Sequence, residues 1–262
     1  MTLDPHADVI VTTILMGQPV HEPFKTMDLK TGRALQELVA ARLAPPLGGV
    51  AGFKMVWNRG DAQEALGLDA PEMARVFSKG VHKDKATISL NDYRHLAVEA
   101  HIVARLSAST ELGVTYDRER IASHVGGFSA AIEIQDLLQA PGSLSPGAAL
   151  AHNAFGVGAV VAGRTIPAPG FNTARITTRI LHGDGVIAEG SALAPEDPFD
   201  MVADVANHFG EQGTALKNGQ FIFCGSHIPT YAIDRPGAFG VSMMGLGEAW
   251  LSVTEAGSGG SE

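Results

Sequence analysis

The chain has 262 residues, 45% apolar and 18% charged, with 19 basic and 28 acidic side chains and a formal charge of −9. This describes a globular chain long enough to bury a sizeable core. It argues against nucleic-acid or anionic-membrane partners, because gripping phosphate takes basic patches that the sequence lacks. The single cysteine, Cys224, excludes an internal disulfide and fits a reducing cytoplasm, the expected location. No stretch reads as a membrane span, and the start MTLDPHADVI lacks signal-peptide character.

Residues 6–17 and 29–43 read as helices; in the second, Leu35, Leu38, Val39 and Leu43 recur at helical spacing before Pro45-Pro46 and Gly48-Gly49 stop it. Val50–Val56 reads as a short apolar strand interrupted by Lys54. Asp61–Leu66 reads as a short helix, and 79–85 as a polar, mobile loop. From residue 86 short strands separated by turn residues take over. Two of them, Val98–Ile102 (VEAHI) and Ala131–Asp136 (AIEIQD), are apolar yet carry ionisable groups. Residues 173–193 read as a hairpin around His182-Gly183-Asp184-Gly185. Pro198–Gln212 reads as an amphipathic helix, followed by strands at 220–224 and 249–253. The expected fold class is α+β, with a helical N-terminal cap over 1–85, a β-rich core over 86–255 and a disordered tail over 256–262.

Three constellations could carry chemistry. Glu99 and His101 lie two apart, so a strand points both to one face. Glu133 sits among Ala131, Ile132 and Ile134, and a carboxylate on an apolar strand is costly unless paired or bound to a cation. Two carboxylates and an imidazole suit a divalent metal; the alternative is a surface Glu99, a satisfied buried His101 and a Glu133 in an ion pair. Lys54, in GGVAGFKMV, is either a desolvated base or substrate-pairing cation, or a lysine at a strand edge that reaches water. In the loop GSHIPT (225–230), Gly225 would let backbone approach a ligand while Ser226, His227 and Thr230 supply donors, unless the loop is an ordinary turn. Cys224 reads as a small buried hydrophobe. Gly156-Val157-Gly158 with Gly163 lacks the full pattern of a nucleotide-binding turn.

Taken in order, these segments resemble the fumarylacetoacetate hydrolase superfamily, in the branch of 2-oxopent-4-enoate hydratases and 4-oxalocrotonate decarboxylases. The resemblance runs through TGRALQELVAARL, GFK, LGLDAP with Val76-Phe77, VEAHI, AIEIQD, HNAFGVGAVVAG, the run from PFDMVADV to FIFCGS, and GLGEAWLSV. It implies a β-rich mixed-sheet roll or barrel with a helical N-terminal region, a homo-oligomer, and a divalent metal that grips a small-molecule 2-oxo acid. Carried over, the metal ligands are Glu99, His101 (where the family has a carboxylate) and Glu133, and Lys54 lies near substrate. The imidazole widens the choice from Mg or Mn to Fe or Zn. Further departures are Ser78-Lys79 for an acidic pair, His152 for an aspartate and Leu137-Leu138 for a Ser-Arg pair. With the family's acids missing, proton transfer is expected from Lys54 with His152 and Ser226 as substitutes, and substrate contacts from Lys54, Asn153, Gly225 and Ser226. The implied activity is a hydratase-type lyase working through an enolate. A 2-oxo acid decarboxylase or C–C bond-cleaving relative, and a catalytically silent subunit of a hydratase–decarboxylase assembly, are the other readings.

Overall fold

The computed structural model describes residues 3–138, 143–169, 171, 176–192, 197–226 and 228–255; the tail 256–262 and His227 lie outside them. Helix α1 (Asp4–Leu15) has Pro5 in its first turn, where a missing N–H does no harm. Helix α2 (Leu29–Leu43) is capped by Asp28, whose carboxylate accepts from the Thr31 amide. There follow β1 (Val50–Val56), α3 (Gly60–Leu66), β2 (Glu72–Phe77), β3 (Val81–Lys83), β4 (Lys85–Ser89) and β5 (Leu96–Leu106). Next come α4 (Arg118–Ala122), β6 (Val125–Asp136), α5 (Pro146–Ala151), β7 (Gly156–Val161), β8 (Ile166–Pro167) and the hairpin β9 (Ile176–His182) and β10 (Gly185–Ala192). Helix α6 (Pro198–Glu211), β11 (Phe221–Ser226), β12 (Tyr231–Ala232), β13 (Gly237–Met243) and β14 (Gly247–Thr254) complete the described chain. None of these helices is long and apolar enough to cross a membrane.

Two mixed sheets result. The larger runs β2-β1-β11-β5-β6-β7-β3, with β12 added beside β5 and β8 beside β6; the smaller runs β10-β9-β13-β14-β4. The large sheet rolls until β2 lies near β7. One face of its central strands, through Ala100, Ile102, Phe128 and Ile132, packs on α6 and the small sheet in the main core. The other face, through Val103, Ala131, Val161 and Phe223, forms a second apolar cluster inside the roll. Burial on both faces is why β5 and β6 read as near-continuous apolar runs.

The α+β class and the rolled mixed sheet expected from sequence are present. The division at residue 85 is not a boundary between sheets, because β1, β2 and β3 belong to the same large sheet as β5–β7. The polar segment 79–85 is also ordered: β3 pairs in parallel with β7, and β4 begins at Lys85. Its pattern hid two short edge strands, which need little apolar surface of their own.

Helices α2 and α5 meet backbone to backbone. A Cβ on Gly32 would stand 2.2 Å from the Gly147 carbonyl oxygen, whereas one on Gly210 meets nothing within 4 Å. Gly32→Ala should therefore lower unfolding free energy by about 1–3 kcal/mol, an overpacking cost. Gly210→Ala should be neutral or stabilising by up to about 1 kcal/mol. Urea unfolding of both variants checks the contrast.

Candidate functional site

The inward face of β5 and β6 gathers the ionisable groups. Glu99 pairs in register with Glu133, and His101 with Ala131, so all three ionisable side chains share one face. Strand β1 brings Lys54 in line with Phe223 of β11, on the same side. His101 Nε2 lies 3.2 Å from Glu99 Oε2 and 3.2 Å from Glu133 Oε2. Lys54 Nζ bonds Glu133 Oε1 and donates to the Ala154 carbonyl at 3.0 Å. Thr230 donates to Glu99. Glu133 is in an ion pair with Lys54, the alternative left open by sequence, and it also faces His101.

Lys54, His101 and Glu133 are all buried. Burial pulls the His101 pKa down, but hydrogen bonds to Glu133 and Glu99 and their charges outweigh it and raise the value to about 9. Burial pushes Glu133 up, but the Lys54 charge and the His101 hydrogen bond hold it down at about 2. His101 Nδ1 is buried without a partner among the described residues, and Phe223 meets the ring edge-on.

The ligand-type atoms of Glu99, His101 and Glu133 all lie within 4.8 Å of one another. Neighbouring ligands of an ion with bonds of about 2.1 Å stand roughly 3 Å apart. The two 3.2 Å separations from His101 Nε2 and the donor set of two carboxylate oxygens and one imidazole nitrogen are of the kind a divalent ion takes.

A cavity of ≈ 530 Å³ opens on this cluster, lined at its polar end by Lys54, Glu99, Glu133, Gln135, Asn58 and Ser226. Of the expected contact residues, Lys54 and Ser226 reach it and His152, Asn153 and Gly225 do not. His152 turns back along α5, where its Nδ1 donates to the Ala148 carbonyl at 2.8 Å, and burial lowers its pKa. Ser226 lines the cavity, but its hydroxyl is committed to the Ile228 carbonyl at 2.5 Å. Gly225, at φ +70, leaves room for Asn58, since a Cβ there would stand 2.3 Å from the amide carbon.

Asn153 acts from behind the wall. Its amide accepts from the Arg75 N–H at 3.0 Å and donates to the Arg75 carbonyl at 2.9 Å. That clamp holds Asn153, Ala154 and Phe155 in left-handed conformations (φ 54, 46 and 61), strain that aims the Ala154 carbonyl at Lys54. Gly156 is required next door, because a Cβ there would meet Lys54 Nζ at 2.7 Å and Glu133 Oε1 at 2.8 Å. The glycines that fell short of a nucleotide-binding pattern serve close packing. Sequence reasoning passed over Asn58, whose Oδ1 accepts from the Ser226 amide and whose Nδ2 is buried without a partner among the described residues. A lone asparagine after a strand gave no signal for it.

No family model matches the chain. Over 210 residues, 79% of each chain, it is 23% identical to a 2-keto-4-pentenoate hydratase of Burkholderia vietnamiensis (strain G4 / LMG 22486). The fold matches 4-oxalocrotonate decarboxylase from Pseudomonas putida G7, complexed with magnesium and adipate, at a TM-score of 0.86 and 18% identity, over 96% of this chain and 97% of that one. It also matches fumarylpyruvate hydrolase from Pseudomonas aeruginosa in complex with Mn2+ and pyruvate, at 0.58 and 14% identity, over 78% and 89%. The chain is thus similar in sequence to a 2-keto-4-pentenoate hydratase and shares its fold with 4-oxalocrotonate decarboxylase and fumarylpyruvate hydrolase.

Proposed function

We propose that the chain is a divalent-metal-assisted lyase of the hydratase type, acting on an unsaturated or hydroxylated 2-oxo acid through its enolate. The observation that carries this reading is the convergence of Glu99, His101 and Glu133, with the two carboxylates lining the polar end of a ≈ 530 Å³ cavity and the imidazole buried behind them. Those three residues would hold the ion. Bound there, it supplies positive charge to the C1 carboxylate and C2 oxygen of the acid, where negative charge develops in the reaction. Lys54 fixes the Glu133 carboxylate and puts a proton-bearing nitrogen on the cavity wall. Asn58 Nδ2 offers a donor to a substrate oxygen. The apolar remainder of the wall, Trp57, Phe155 and Ile228 among it, keeps water from the reacting carbons.

The fold match over nearly the whole of a decarboxylase supports a second reading, decarboxylation or C–C cleavage on the same enolate logic. Product analysis separates the two: water addition marks the first, CO2 release the second.

Three outcomes check the lead reading. Calorimetry should show one Mn2+ bound per chain, weakened at least about tenfold by Glu99→Gln or Glu133→Gln; turnover should vanish on chelation and return with Mn2+. A wild-type chain that takes up no divalent ion, with activity indifferent to Glu133→Ala, would sink the reading.

The ion and a proton compete for His101 Nε2. In the metal-free protein that proton is held up to about pH 9, so Mn2+ affinity should rise about tenfold per pH unit below 9 and then level off, with proton release on binding. Titrations in buffers of different ionisation enthalpy read both quantities.

Asn153→Ala removes both bonds to Arg75, and with them the clamp on the Ala154 carbonyl. The expected result is a kcat lowered about ten- to hundredfold with Mn2+ stoichiometry unchanged. Asn153→Asp, which keeps only the acceptor, should fall between the two. Steady-state kinetics beside calorimetry reads the split.

A further inference from the structure

The cavity is far from uniform in charge. Beyond the polar end its wall is apolar, formed by Met55, Val56, Trp57, Leu66, Leu144 and Pro229. Two cationic side chains line it among the described residues, and both are already paired. Lys54 is held by Glu133 and by the Ala154 carbonyl. Arg59 is held by Asp61, which accepts from its Nε at 3.0 Å and its Nη2 at 2.5 Å. Both members of this second pair line the cavity, at the start of α3, so Asp61 occupies the guanidinium edge that would otherwise grip a carboxylate in two-pronged fashion.

A substrate with a second carboxylate would carry that charge against a mostly apolar wall with no unpaired cation to meet it, and withdrawing a carboxylate from water without a partner is unfavourable. An alkyl or aryl tail would be welcome there, and the volume lies in the range of about 300–1,000 Å³ typical of sites for larger small molecules. Resting on the 2-oxo acid reading above, we infer that the substrate is a 2-oxo monocarboxylate with an apolar tail, and that Asp61 sets this preference by neutralising Arg59. Asp61 is a specificity residue in this scheme; it takes no part in the chemistry at the metal end.

The test uses the Mn2+-loaded full chain and two probes with the same head, 2-oxooctanoate and 2-oxoadipate. Calorimetry is expected to give at least tenfold tighter binding of 2-oxooctanoate. Asp61→Asn, which frees Arg59, should narrow that ratio at least tenfold by strengthening 2-oxoadipate. The double variant Asp61→Asn with Arg59→Gln should restore it. Equal or tighter binding of 2-oxoadipate by the wild type, or a ratio untouched by Asp61→Asn, would overturn this inference alone. Failure of both acids to bind to protein that has taken up Mn2+ would overturn the 2-oxo acid reading and this inference with it.

Discussion

The buried ion pair between Lys54 and Glu133 is the constraint around which the rest is arranged. Both side chains are almost wholly withdrawn from water, at 2% and 3% exposure. Removing one partner of such a pair costs about 3–5 kcal/mol, because the other charge stays buried. The surrounding backbone is shaped to keep it. Gly156 leaves space for the two charged ends, the Asn153 amide locks the preceding turn onto β2, and the Ala154 carbonyl takes a second proton of the ammonium. Three consecutive non-glycine residues in left-handed conformation are tolerated for this purpose.

From that pair the site extends along one face of the sheet. Glu133 reaches His101, and His101 reaches Glu99, which Thr230 holds from the outer loop. Lysine neutralises one carboxylate on one side, so the imidazole bridges two carboxylates that are not equivalent. Glu133 is fixed from both sides and buried, whereas Glu99 is partly exposed at the cavity. Held between two carboxylates, the imidazole keeps its proton to about pH 9 and so carries positive charge where a third carboxylate would carry negative. The neighbouring folds that carry magnesium or Mn2+ share the architecture that makes such a convergence possible.

The two ends of the cavity divide the work. Charge and hydrogen bonding are concentrated where β1, β5 and β6 meet, on rigid strands buried on both faces. The rest of the wall comes from the segment from Trp57 through α3 and the loop after β11, where side chains are apolar or already paired, and this is where the proposed substrate's tail would lie. Trp57, itself at φ 55, turns the chain out of β1 so that α3 can form one wall. On the proposed reading, chemistry sits on the scaffold and selectivity on its attachments, an arrangement that lets one fold serve several reactions.

The sequence by itself determined the strands that carry the cluster. Alternation within VEAHI put Glu99 and His101 on one side, and the cost of a lone carboxylate in AIEIQD marked Glu133 as a group needing a partner. It also set the helices α2 and α6, through apolar spacing, and the glycine turn of the β9–β10 hairpin. What it could not decide was which distant segments meet. The partnership of Lys54 with Glu133, the retreat of His152 into its own helix, the clamp from Asn153 to β2 and the pairing of Ser226 with Asn58 are long-range or locally strained contacts. Periodicity reports only which face a residue takes; the register of β1 against β11 and the roll that brings β2 beside β7 come from closing the whole sheet. Those tertiary facts turned three suggestive residues into one cluster.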